Sequence, residues 1–218
     1  MTARIVPDDE AGRAQAVAVL RAGGMVALPT DTVYGIAVDL ATPGGVERLF
    51  AAKRRPPDKG IMLLLAAASQ AEEVGLLGPA ARALAAAFWP GGLTLIVAQR
   101  PDVVLPAALT GGSHTIGLRL PDHPTPRALA AAVGPIPTTS ANRSGRPEGR
   151  DAADIVDQVG DAIDLILDDG PAHGGPASTV VDVTGDRPRI LRAGAVAPAA
   201  VAAVLSAAGV PFDPGDQG

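Results

Sequence analysis

Lys53-Arg54-Arg55-Pro56-Pro57-Asp58-Lys59-Gly60 runs straight into Ile61-Met62-Leu63-Leu64-Leu65, and this junction decides the class of fold. An unbroken apolar run of that length reads as a strand covered on both faces, which calls for helices on either side of a sheet. Just upstream, residues 44–52 read as a helix with Val46, Leu49 and Phe50 turned inward, and Thr42-Pro43 as its N-cap and first helical residue. The turn between helix and strand carries four cations and is stiffened by Pro56-Pro57. Lys and Arg total 18, yet both of the chain's lysines lie in this one turn. Lysine is a compact, hydrated point charge where arginine is a planar fork. Such a cluster attracts a phosphate or a carboxylate; the plainer alternative is a solvated loop favoured by the helix dipole.

Outward from that junction, helices and short strands alternate. Helices are expected over residues 10–22, 69–74, 79–88, 124–133, 151–159 and 198–208, and strands over 25–28, 33–38, 93–98, 115–120, 136–139 and 165–167. Residues 178–183 and 188–192 read as a hairpin, and 100–112 as a loop. With 218 residues, 47% of them hydrophobic, one domain over 8–208 is expected, followed by a flexible tail over 209–218. Trp89, the sole tryptophan, reads as a packing residue at a turn.

Composition removes several classes. The absence of cysteine excludes disulfide frameworks, thiolate nucleophiles and zinc ribbons. His114, His123 and His173 have no metal-binding spacing, and no metal site is expected from the protein's own side chains. No leader or membrane span is apparent, so a cytoplasmic protein with no membrane contact is expected. A net charge of −5 and 2% aromatics argue against a broadly RNA-binding surface. The P-loop, the G-x-G-x-x-G turn and the G-x-S-x-G elbow are all missing from the sequence.

Three polar stretches remain. Thr30-Asp31-Thr32 sits between two strands, where its hydroxyls either orient a small ligand or cap their own turn. In the strand at 115–120, a period of two puts Thr115, Gly117 and Arg119 on one face and Ile116, Leu118 and Leu120 on the other; a ligand-facing and a solvent-facing edge strand are both open. Ser140-Ala141-Asn142-Arg143-Ser144-Gly145-Arg146-Pro147, with Arg150 beyond it, follows a strand at the place where open α/β sheets bind ligands.

Together with Pro29-Thr30-Asp31-Thr32-Val33-Tyr34-Gly35, Lys53-x-Arg55-Pro56, Trp89-Pro90-Gly91, Ser178-Thr179-Val180-Val181-Asp182 and Leu191-Arg192-x-Gly194, these stretches resemble the YrdC-like family, in the family's order, over roughly residues 10 to 200. The resemblance is strongest to its short, single-domain bacterial type (TsaC). It implies a single α/β domain with a strongly twisted, curved mixed β-sheet flanked by helices and a concave positive cavity. It also implies threonylcarbamoyl-AMP synthesis from L-threonine, bicarbonate or carbon dioxide, and ATP with Mg2+, a nucleotidyl transfer that opens a tRNA modification. The product would pass to a threonylcarbamoyl-transfer complex of the TsaD, TsaB and TsaE type, with a weak tRNA contact.

By the same resemblance Lys53, Arg55, Ser140 and Asn142 are the catalytic positions. Arg55, Lys59, Thr115, Asn142, Arg150 and Arg192 would hold ATP, and Thr32, Arg119, Ser140 and Ser178 threonine. Leu64 stands where some relatives carry a histidine that touches threonine, and residues 171–177 are the candidate closing loop. Two alternatives remain: an RNA-binding or ribosome-maturation factor without catalysis, and an enzyme that carbamoylates another acceptor.

Overall fold

The computed structural model describes residues 3–54, 60–172 and 174–212. In chain order the elements are β1 (Arg4–Pro7), α1 (Glu10–Arg21), β2 (Val26–Leu28), β3 (Gly35–Ala37), α2 (Gly45–Lys53), β4 (Met62–Leu64), α3 (Ser69–Val74), β5 (Gly75–Leu76), α4 (Pro79–Phe88) and β6 (Leu93–Gln99). They continue with α5 (Ala107–Thr110), β7 (Thr115–Arg119), α6 (Pro124–Val133), β8 (Ile136–Ser140), α7 (Ala152–Val159), β9 (Leu165–Asp168), β10 (Thr179–Asp182), β11 (Arg189–Arg192) and α8 (Pro198–Ala207).

Among the described residues, 11 strands form one mixed sheet in the order β1-β9-β2-β3-β8-β4-β7-β6-β10-β11, with β5 paired to β6. The expected single α/β domain with a mixed, helix-flanked sheet is what the structure has. β4 lies in the middle, parallel to β7 and antiparallel to β8, and Leu63 and Leu64 are buried as the apolar run requires. β7 is therefore an interior strand, which removes the solvent-facing alternative.

Two apolar clusters form the core. One gathers Leu49, Leu63, Leu84, Leu95 and Leu118, and the other Leu20, Leu28, Leu64, Leu129 and Leu165. Residues 63 and 64 fall in different clusters because consecutive strand residues face opposite ways. Helix α1 packs on α6, and α4 on α8. Each fully buried leucine contributes about 2 kcal/mol of transfer free energy.

Helix starts follow local chemistry. Asp9 accepts a hydrogen bond from the Gly12 amide at 2.7 Å to cap α1, and Asp151 accepts from Asp154 at 2.9 Å to cap α7. Proline opens α4, α6 and α8 at positions that need no amide donor.

The start of α2 differs from expectation. Gly44, at φ 70°, precedes the helix, and Thr42 instead accepts the Gly45 amide through its carbonyl at 3.0 Å. The reason is upstream: Asp39 takes the amides of Ala41 and Thr42, so the chain enters α2 through consecutive turns. At the other boundary, Val210 and Phe212 still pack against the core, within the stretch expected to be a free tail. Residues 213–218 of that expected tail lie outside the described residues.

Candidate active site

Alternation along β7 does what the sequence implies. Thr115, Gly117 and Arg119 line a cavity of about 420 Å3, while Ile116 and Leu118 turn into the core. Also in the wall are Thr32 from the β2–β3 turn, Ser140 from the end of β8, Ser178 just before β10 and Arg192 at the end of β11. Leu64 lines it too.

Arg119 is 4% exposed, and each of its three guanidinium nitrogens is engaged. Nε donates to the Gly91 carbonyl at 3.0 Å, one terminal nitrogen to Thr32 Oγ1 at 2.9 Å and the other to Asp31 Oδ1 at 2.7 Å. Burial pulls the guanidinium below its ordinary pKa; Asp31 pushes back and nearby Arg192 adds to the fall. Thr30 Oγ1 donates to the Val33 carbonyl at 2.7 Å and accepts the Thr32 amide at 3.1 Å. The hydroxyls thus cap their own turn, and Thr32 in addition meets Arg119. Since the Thr30 proton is committed to Val33, Thr32 is the donor across the 3.2 Å gap between the two hydroxyls.

Ser140 is held by Lys53, which closes α2 and is 1% exposed. Its ammonium donates to the Ser140 carbonyl, to Asn142 Oδ1 at 2.9 Å and to Ser140 Oγ at 3.3 Å. Ser140 Oγ donates in turn to Asn142 Oδ1 at 2.6 Å, and the Asn142 amide nitrogen to the Arg146 carbonyl. Lysine, serine and asparagine therefore form one network.

Ser178 joins the walls. Its hydroxyl lies 2.8 Å from Thr94 Oγ1, and Arg192 donates to it at 3.2 Å and to its carbonyl at 2.8 Å. The L-R-x-G glycine has its reason here: a Cβ on Gly194 would sit 2.1 Å from the Ala177 carbonyl oxygen, against the backbone that presents Ser178. Thr115 pairs with Ser113 at 2.8 Å.

Arg150 goes elsewhere. Its side chain is 84% exposed and pairs with Asp154 at 3.2 Å, on the rim of a second hollow of about 530 Å3. The two hollows share Thr32, Val33 and Glu148. Arg55 and Lys59 lie outside the described residues. Trp89 packs against the core and donates to the Leu93 carbonyl at 2.8 Å, a structural role as expected.

Sequence reasoning missed four residues. Asp31 was noted as a carboxylate but not as the partner of Arg119. Thr94 is a hydroxyl inside the apolar strand β6, where it reads as core. Tyr34 and Glu148 were not singled out at all.

A metal has little to hold it. Among the described residues, Asp8, His123 and Asp169 bring ligand atoms within 4.8 Å of one another. Arg13 takes both oxygens of Asp8 at 2.8 and 3.1 Å, the Thr125 hydroxyl donates to the same carboxylate, and His123 Nδ1 accepts the Thr125 amide at 3.2 Å. A guanidinium on the ligand oxygens competes with a cation, so the set fits a hydrogen-bond network. In the main cavity Glu148 is the one carboxylate among the described lining residues, which fits a magnesium ion carried in on phosphates. Among the described residues no buried side-chain nitrogen or oxygen lacks a partner, and no helix is long and apolar enough to cross a membrane.

A profile of the Sua5/YciO/YrdC family, described as "Telomere recombination", matches residues 18–194. A threonylcarbamoyl-AMP synthase of Bacillus subtilis is 39% identical over 196 residues, which are 88% of this chain and 56% of that one. A threonylcarbamoyl-AMP synthase of Chromohalobacter salexigens is 40% identical over 175 residues, 78% of this chain and 91% of that one. The crystal structure of Pyrococcus abyssi Sua5 complexed with L-threonine superposes with a TM-score of 0.87 at 32% identity, covering 98% of this chain and 62% of that chain. The chain thus spans little more than half of the Bacillus and Pyrococcus proteins and nearly all of the Chromohalobacter one.

Proposed function

Since the chain belongs to the Sua5/YciO/YrdC family, we propose that it is a threonylcarbamoyl-AMP synthase, joining L-threonine, bicarbonate or carbon dioxide, and ATP to give threonylcarbamoyl-adenylate and pyrophosphate. The observation that carries this reading is a single cavity walled by Ser140, which is bonded to the buried Lys53 and to Asn142, and by Arg119, whose three nitrogens are each anchored to the protein. The first suits phosphates and the second a carboxylate.

The threonine amine takes up carbon dioxide, loses a proton and becomes a carbamate. A carbamate oxygen then attacks the α-phosphorus, and pyrophosphate leaves. Both reactants are anions, so the barrier is first electrostatic, and fixed donors at the phosphoryl oxygens lower it. Lys53, Ser140 and Asn142 fill that role, with Arg55 and Lys59 from the adjoining turn. Thr115 and Arg192 contact the nucleotide, and Arg150 meets the far phosphates at the rim. Arg119, Thr32, Ser140 and Ser178 hold threonine.

No side chain serves as a covalent nucleophile, because the carbamate does; orientation supplies much of the rest. A magnesium ion bound with ATP would supply charge neutralisation at the phosphates. The adenylate passes to a transfer complex of the TsaD, TsaB and TsaE type, which modifies tRNA. Pyrophosphate release from ATP tests the reading. It should require both threonine and bicarbonate and be weak with serine, valine or glycine; release indifferent to every amino acid would overturn it.

A further inference from the structure

Tyr34 is buried at 1% exposure, yet its hydroxyl is among the most engaged polar groups near the cavity. It donates to the Gly170 carbonyl at 2.7 Å and accepts the Asp169 amide at 3.0 Å. Both partners belong to the first residues after β9, where Gly170 turns the chain at φ 74°. The Gly170 amide is tied to Asp168 Oδ1 at 3.0 Å, and the Asp169 carboxylate faces His123 Nε2 at 3.3 Å. Two residues further on, the Ala172 amide donates to the Arg150 carbonyl at 2.6 Å.

The other side of Tyr34 is the site itself. Tyr34 is among the residues that line the main cavity, two residues after Thr32, which accepts from Arg119. Pro171 and Ala172 line the second hollow together with Thr32 and Val33. One tyrosine thus joins two chain segments that line the same hollow. Burial holds it above its ordinary pKa, so it keeps the proton that it donates to Gly170.

We propose that Tyr34 is a positioning residue for the reaction, its hydroxyl fastening residues 169–172 against the Thr32–Val33 turn so that the threonine end of the cavity keeps its shape. The inference rests on the synthase reading. It assigns the phenol oxygen to the threonine end, because its partners are Gly170 and Asp169, whereas Lys53, Ser140 and Asn142 bond to one another. Misplacing a contact by a fraction of an ångström affects the substrate held by that contact first.

The test is Tyr34→Phe, which keeps the ring and removes only the oxygen. In steady-state pyrophosphate release the KM for threonine should rise about tenfold while the KM for ATP stays within about twofold. Equal rises in both constants, or an unchanged threonine KM, would overturn the role. Amide hydrogen exchange reads the clamp independently of catalysis: in the variant it should quicken at Asp169, Gly170 and Ala172 and not at Ala141, whose amide is held by the Tyr34 carbonyl at 2.7 Å. Unchanged exchange at Asp169, Gly170 and Ala172 would overturn the clamp even if the protein proved to have another activity, whereas wild-type protein with no threonine-dependent release would sink the synthase reading alone.

Discussion

Arg119 and Arg150 show how differently the floor and the rim of this site are built. On the floor, strand β7 delivers Arg119 to a place where a carbonyl, a hydroxyl and a carboxylate already wait for its fork, leaving 4% of the residue exposed. On the rim, Arg150 leaves 84% of its side chain in solvent and pairs with Asp154 one helical turn away. A floor of this kind has settled its orientation before any ligand arrives. The rim has not, and an exposed pair of that sort contributes little to stability. Lys53 belongs with the floor, buried and bonded to Ser140 and Asn142.

The largest expected effect is at Lys53. Lys53→Ala removes a charged donor from the phosphate end and should lower kcat by at least about a hundredfold in pyrophosphate-release kinetics. Activity near wild type would remove this residue from the chemistry. Next comes Arg119→Ala, which should raise the threonine KM far more than the ATP KM. It also strands Asp31, 15% exposed at its side chain, and should cost roughly 3 kcal/mol in denaturant unfolding.

Arg150→Ala sharpens the contrast from the other side: losing one exposed contact to the far phosphates should raise the KM for ATP about threefold and leave kcat unchanged. A loss as large as that at Arg119 would mean that the rim closes onto the nucleotide and is part of the floor when loaded. The smallest effect is a pH response at the β10–β11 hairpin. Burial pushes Asp182 upward, but the hydroxyl and amide of Thr184 and the guanidinium of Arg189 outweigh it, so its pKa is lowered from 3.8. A carboxylate lowered on folding stabilises the fold above its unfolded pKa and loses that contribution as pH falls through the folded value. Hydrogen exchange in the hairpin should therefore quicken below pH 3.8, and Asp182→Asn should abolish that dependence.

Elements with strong local punctuation were legible in the sequence. Helices α3, α4 and α6 begin and end where expected, two of them because proline fixes the first turn. Elements without such signals were not. β1 is four residues with mostly exposed side chains and no alternation, β5 is two residues, and α5 is a single turn inside a glycine- and proline-rich loop. In the site, the two-residue period of β7 gave Arg119 its direction, but nothing along the chain reveals that Asp31 meets it. The contact joins residues 88 apart in sequence. Thr94 and Tyr34 were hidden for a related reason: each sits in an apolar run, and only the fold puts Ser178 and Gly170 beside them.

The place of β9 in the sheet bears on how the chain is assembled. Leu165 pairs with Arg4 of β1 on one side and with Val26 of β2 on the other. During synthesis from the N-terminus, β1 has no neighbour and β2 has one open edge until residue 168 has been made. Contacts so distant in sequence carry a large loop-closure cost and form slowly. A nascent chain stalled before β9 therefore exposes an unpaired apolar strand edge, the kind of surface that holding chaperones cover, and insertion of β9 is the step that seals the first half of the sheet.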